Sequence, residues 1–297
     1  MPVKILGKGF TLVELVMVIA LSGLVALMIS TVLSRPMEGF AGQSRRAILV
    51  DQAAGALSRM SRDVRLAIPN SLRVSANGQA MELLLIHSAG RYRPNRTGSE
   101  GLVFTSDAAG SCSSLTAGGR CDSVQVLDAS FNPAGARWMV LYNIGADSGG
   151  VPVAGINVWA PANPGVITPT GTTFSAVTGV PAGESQIILG NLPAGGFRFN
   201  FASPQRRMYL AQEVVGYRCD GAGRLLRYSY NTLQAAIPDP PPNNSNPQPV
   251  AVNVTNCSFV YQAGSTQRTG LLTLNLQLSR DGESVQLMQQ VHVDNAP

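Results

Sequence analysis

The run from Leu15 to Leu33 carries no charge, and it constrains this chain more than any other stretch. At about 1.5 Å per helical residue it reaches roughly 28 Å, close to the thickness of a bilayer's hydrocarbon core. It can cross a membrane as one helix. Ahead of it lie Lys4 and Lys8, a Gly9-Phe10 junction and a single acid, Glu14. Basic residues before a span place the N-terminus in the cytoplasm, so everything after about Arg35 is expected on the far side. A secretory signal also starts basic and then turns apolar, but its small residues sit at a cleavage point after the apolar run. Here that run leads into Ser34-Arg35-Pro36, and the small residue, Gly9, comes before it. The span is expected to be retained. Glu14 is the residue a plain anchor does not need. A carboxylate at full membrane depth costs on the order of 2.5 to 3.5 kcal/mol, so it calls for a partner.

Gly9 followed by Phe10-Thr11-Leu12-Val13-Glu14 resembles the processing site of type IV prepilins and of their relatives, the pseudopilins of type II secretion. The resemblance implies a prepilin peptidase that cuts between Gly9 and Phe10 on the cytoplasmic side and methylates the new N-terminus at Phe10. It also implies a use for Glu14. The freed amine of Phe10 would lie one helical turn before it, and in pilins the matching glutamate meets the N-terminal amine of a neighbouring subunit. A lone glutamate would only complement the positive end of the helix dipole. Pilins commonly carry a glycine and a proline in this helix, where local melting accompanies filament packing. Gly23 and Pro36 are the matching weak points here, with the proline several residues later than usual. The C-terminal phrase Q-V-H-V-D-N-A-P resembles the larger minor pilins of the mannose-sensitive haemagglutinin (MSHA) pilus system, the MshO-like group. N-S-L-R-V after the helix and Y-R-C-D-G before a Pro-rich stretch fit the same group.

Composition agrees with a β-rich domain beyond the span. Charged residues are 13%, with 31 Gly and 19 Pro, which suits short strands and long loops better than a helical enzyme. The formal charge is +5; Lys4 and Lys8 are the only lysines, and losing both with a leader leaves +3. In an oxidising compartment Cys112, Cys121, Cys219 and Cys257 can pair, in three possible ways. We expect Cys112 with Cys121 and Cys219 with Cys257, because each pair brackets a plausible loop. A zinc site has no C-x-x-C or His-Cys cluster to support it. The densest basic run, Arg91-Tyr92-Arg93-Pro94-Asn95-Arg96, reads as a solvated loop, and no nucleic-acid partner is expected.

From Gln43 to Ile68 the pattern is amphipathic, with Leu49, Ala53, Leu57, Met60, Val64 and Ile68 at three- and four-residue spacing. This face is expected to pack on a sheet. Strands are expected at Met81 to His87, Leu102 to Thr105, Ser123 to Leu127, Arg137 to Ile144, Ile156 to Trp159, Gln186 to Leu189 and Phe197 to Phe201. Arg207 to Cys219 and Arg224 to Tyr230 flank a D-G-A-G turn. A final hairpin runs from Leu272 to Leu278 and from Val285 to Val293 about Arg280-Asp281-Gly282-Glu283. The Pro-rich stretch between Ala236 and Val250 reads as an extended, mobile surface loop.

Catalytic signatures are missing: there is no G-x-S-x-G elbow, and His87 and His292 are too far apart in sequence for H-E-x-x-H chemistry. No catalytic residue, metal or cofactor is expected. The expected fold is α+β and type IV pilin-like: a long N-terminal helix packed on an antiparallel β-sheet domain with long loops. Its parts are a cleaved leader over 1–9, a membrane and assembly helix over 10–35, an amphipathic helix over 36–68 and a periplasmic β-rich domain over 69–297. The resemblance implies a minor pilin subunit whose partners are other pilins, the peptidase and methylase, and an inner-membrane assembly platform. A minor pseudopilin of type II secretion and a pilus-tip adhesin or DNA-binding subunit are the alternatives.

Overall fold

A computed structural model of the chain describes residues 9–96, 101–105, 120–177, 180–264, 268–293 and 295. It opens with one helix, α1 (Leu12–Arg65), which runs unbroken through both Gly23 and Pro36. Thr11 caps it: its backbone is extended and its Oγ1 accepts the Glu14 N–H at 3.3 Å. Thr and Glu at this spacing form the sequence pattern of a capping box. The helix ends at Arg65, short of the expected Ile68, with the Leu66 N–H reaching back to the carbonyls of Arg62 and Asp63. Pro69 disfavours helical backbone at Ile68, and Ala67 instead bridges to Leu85 as the first β pairing.

Sixteen strands follow among the described residues: β1 (Arg73–Val74), β2 (Ala80–Arg91), β3 (Val103–Phe104), β4 (Ser123–Val126), β5 (Trp138–Val140), β6 (Asp147–Ser148), β7 (Val151–Pro152), β8 (Thr173–Val177), β9 (Ser185–Gly190), β10 (Phe197–Arg198), β11 (Arg207–Cys219), β12 (Arg224–Tyr230), β13 (Gln248–Val252), β14 (Val254–Gln262), β15 (Gly270–Arg280) and β16 (Glu283–Val293). The main sheet has six strands, in the order β1-β2-β11-β12-β13, with β5 added to β11. A second sheet is β14-β15-β16 and a third is β4-β9-β8, with two short ribbons beside them. All pairings between named strands are antiparallel.

The second half of α1 supplies the seam between the first two sheets. Leu49, Ala53, Leu57, Met60 and Val64 are buried in one cluster with Met81 and Leu83 of β2, Val215 and Tyr217 of β11, Phe259 of β14, Leu272 to Leu278 of β15 and Val285 of β16. Ile68 has left the helix and belongs to a separate cluster around Trp138 and Trp159. A polar contact reinforces the seam: Asp63 Oδ2 accepts the Tyr217 hydroxyl at 2.7 Å and the Arg227 Nε–H at 2.9 Å. Beyond the helix, Asn70 donates from its side chain to the Asn143 and Asn295 carbonyls, so the end of the chain is fastened to the helix exit.

Several strands differ from expectation for identifiable reasons. Ile156 to Trp159 is a turn, because Asn157 Oδ1 accepts the Trp159 N–H at 3.0 Å and the indole donates to the Ser71 carbonyl. Its apolar residues Val158 and Trp159 are buried against the main sheet, in a cluster with Leu84, Trp138, Val140 and Val214, without joining a strand ladder. Arg137 to Ile144 shortens to β5 and Phe197 to Phe201 to β10, while β8, β13 and β14 were not expected. The Pro-rich stretch is fastened where mobility was expected. Arg73 donates to the carbonyls of Gln234 and Ala235, Arg218 donates to that of Pro238 and pairs with Asp239, and the stretch leads directly into β13.

If Asp63 holds the helix on the sheet, Asp63→Ala strands a half-buried guanidinium and a buried phenol. It should lower the folding stability of the domain by about 2 to 3 kcal/mol, measured by urea unfolding, whereas Asp63→Asn, which keeps an acceptor, should lose less.

Candidate functional site

The two halves of α1 differ in what they touch. The stretch from Leu12 to Ser30 is long and apolar enough to cross a bilayer, and none of it is buried against the rest of the chain. Phe10 is 80% exposed, and Leu12, Leu15, Val16, Ile19 and Leu27 are likewise exposed. An apolar helix surface of this extent is stable only in lipid or against other apolar helices. Glu14 lies in its first turn on the exposed surface. Its backbone N–H is taken by the Thr11 hydroxyl, which caps the helix. Gly9 has open space around it, as has Gly23, so neither is required by packing within one subunit.

Three contacts hold the helix and the sheets around it, and the first of them ties the helix itself to its domain. The first is the Asp63 contact to Tyr217 and Arg227. The second is a disulfide from Cys219 at the end of β11 to Cys257 in β14, with Cα atoms 6.3 Å apart, which joins the main sheet to the β14-β15-β16 sheet. The third surrounds Glu82, fully buried in β2. Its Oε1 accepts the hydroxyls of Tyr228 (3.0 Å) and Tyr230 (2.9 Å), and its Oε2 accepts Arg73 Nη2 at 2.7 Å. A buried carboxylate is tolerated only when so surrounded. The Arg73 guanidinium also lies 3.7 Å over the Trp159 ring, which pins the Trp159 turn to the sheet.

Cys121 is disulfide-bonded; Cys112, its expected partner, lies outside the described residues. His87 sits in β2 with a buried Nε2 that has no hydrogen-bond partner among the described residues, and His292 is on the exposed side of β16 beside the Thr269 hydroxyl. Among the described residues no group of three His, Cys, Asp or Glu is arranged to hold a metal ion. A cleft of about 670 Å³ is lined by Arg73, Asp147, Asn157, Trp159 and Tyr261. Arg73 there is already engaged by Glu82 and backbone carbonyls. The Arg91 to Arg96 run is no solvated loop, because Tyr92 and Asn95 are fully buried and Tyr92 bridges to Val126 of β4. Arg93 pairs with Glu184 at 2.5 Å.

Residues 7–30 match the prokaryotic N-terminal methylation motif. The match supports a type IV pilin-like protein. No curated protein and no solved structure matches the chain. The motif implies processing by a prepilin peptidase and assembly with other pilins, and the exposed apolar helix within it fits a single-pass membrane anchor. An apolar helix followed by antiparallel sheets is consistent with an α+β pilin-like fold.

Burial, together with the Glu82 charge, pushes the Tyr228 and Tyr230 hydroxyls well above the ordinary phenol range; burial and Asp63 do the same to Tyr217. The folded chain thus holds these protons more tightly than the unfolded chain. Stability is then flat below about pH 10 and lost above it, by up to about 1.4 kcal/mol per pH unit for each phenol. The urea midpoint should fall above about pH 10, and less steeply in Tyr228→Phe; equal slopes would remove the Glu82 cluster from this account.

Proposed function

We propose that the chain is a minor subunit of a type IV pilus, of the MSHA kind, and that its role is assembly and not catalysis. The observation that carries this is one helix with two fates. Its first half, inside the methylation motif, is apolar and bare, while its second half is sealed into the β domain. In this reading the subunit waits in the inner membrane with its N-terminus in the cytoplasm and its β domain in the periplasm. Prepilin peptidase cuts between Gly9 and Phe10, Phe10 is methylated, and the helix then packs among those of other subunits on the assembly platform. The freed Phe10 amine and the Glu14 carboxylate form the charge pair that sets register. The bulk of the β domain favours a minor over a major subunit, since a domain this large would crowd a filament built of many copies.

The charge-pair step has a sharp test. Glutamine can serve at the third helical position of a capping box as glutamate does, but without charge. Gly9→Leu should leave the chain uncut and in the inner membrane. Glu14→Gln and Glu14→Ala should both be cut, and both should be depleted from sheared filaments, measured by immunoblot against the membrane fraction. Normal incorporation of Glu14→Gln would remove the charge pair.

A further inference from the structure

Two arginines distant in sequence face each other at the outer end of the main sheet. Arg91 closes β2 and Arg207 opens β11, and the register places them directly opposite as the terminal pair of the ladder. Opposite residues in an antiparallel pair project to the same face with Cα atoms about 5 Å apart, and like charges there destabilise the sheet. Among the described residues neither guanidinium has a hydrogen bond or an ion pair. Both line a cleft of about 340 Å³, walled by Leu127 and Tyr209. Asp128 lines it too; the Ser130 N–H at 2.8 Å and hydroxyl at 2.7 Å that its Oδ1 accepts are neutral donors and leave its carboxylate charged, so the two arginines outweigh it by one charge.

The backbone that presents Arg207 is held from several sides. Its N–H donates to Ser203 Oγ at 3.1 Å. Arg206 sits in the left-handed region at φ 54°, with its N–H on the Ser203 carbonyl and its own carbonyl accepting the Tyr92 N–H, each at 2.8 Å. Ser203 is buried and donates its N–H to the Tyr92 hydroxyl. A non-glycine residue in that conformation costs on the order of 1 kcal/mol or more and persists only where its surroundings enforce it. Backbone strain, two arginines opposed in register and a cleft that both line thus coincide at one place.

We propose that Arg91 and Arg207 form a binding site for a phosphate group, free or carried on a lipid headgroup. One guanidinium can saturate a carboxylate through a two-point contact, whereas two guanidiniums lining one cleft offer more donors than a carboxylate uses and suit the oxygens of a phosphate. The anion would also cancel the repulsion between the two strands, so binding and sheet stability are coupled. The site lies wholly on the β domain and stands apart from the assembly reading.

The test uses the full chain in detergent, titrated with inorganic phosphate at constant ionic strength and read by calorimetry and thermal melting. Saturable binding with a raised melting midpoint is expected. Arg91→Gln and Arg207→Gln should each weaken binding by about tenfold or more. Without phosphate neither should melt below the parent, because each relieves the repulsion. Arg280→Gln, on the distant β15-β16 turn, should bind like the parent. Tighter binding of glycerol 3-phosphate would assign a headgroup, and equal binding a free phosphate. Absence of saturable binding, or equal weakening in Arg280→Gln, would overturn the site.

Discussion

Everything in this chain depends on the packing of the second half of α1 against two sheets at once. Leu49, Ala53, Leu57, Met60 and Val64 are all buried at the seam where β2 and β11 meet β14, β15 and β16. Each large side chain there contributes roughly 2 kcal/mol of burial, and neither sheet could cover its inner face without the helix. Because the helix is continuous, this packing also fixes the direction in which the bare half leaves the domain. The Asp63 contacts, the Cys219–Cys257 bridge and the Glu82 cluster then hold the sheets in register with the helix and with each other.

That arrangement turns a membrane anchor into something with a defined orientation. A flexible linker between span and domain would let the domain wander relative to the membrane. A stiff helix carries the position of the domain back to Phe10 and Glu14. The exposed apolar surface from Leu12 to Ser30 has no partner within the chain. A surface of this kind is stable in lipid or against other apolar helices. The methylation motif sits on this bare half, where a processing enzyme in the membrane would meet it.

Local signals in the sequence led to the correct element where one face or one turn dominated. The three- and four-residue spacing from Leu49 to Val64 identified the packed face, and the alternating leucines of β15 with the Asp281-Gly282 turn identified the last hairpin. The reading failed where burial came from distant chain segments. Trp159 and its neighbours look like a buried strand but are covered by Arg73 and Ser71 across a turn. β14 was passed over because Thr255 and Asn256 leave it polar near its start, and β13 because Pro249 disguises it at the sheet edge, where a missing donor is tolerated. Arg91 was visible as part of a basic run, but its partner Arg207 became apparent only through the β2–β11 register. The Thr11 cap on Glu14 was legible from spacing alone.

The central claim is that the span is an assembly element retained after processing and built into a filament. Mass spectrometry of the chain's N-terminal peptide from sheared surface filaments tests it most directly. The account predicts a chain that begins at Phe10 with a methylated amine, recovered in the filament fraction. A chain that still carries residues 1–9, or one found only in the inner membrane, would contradict it.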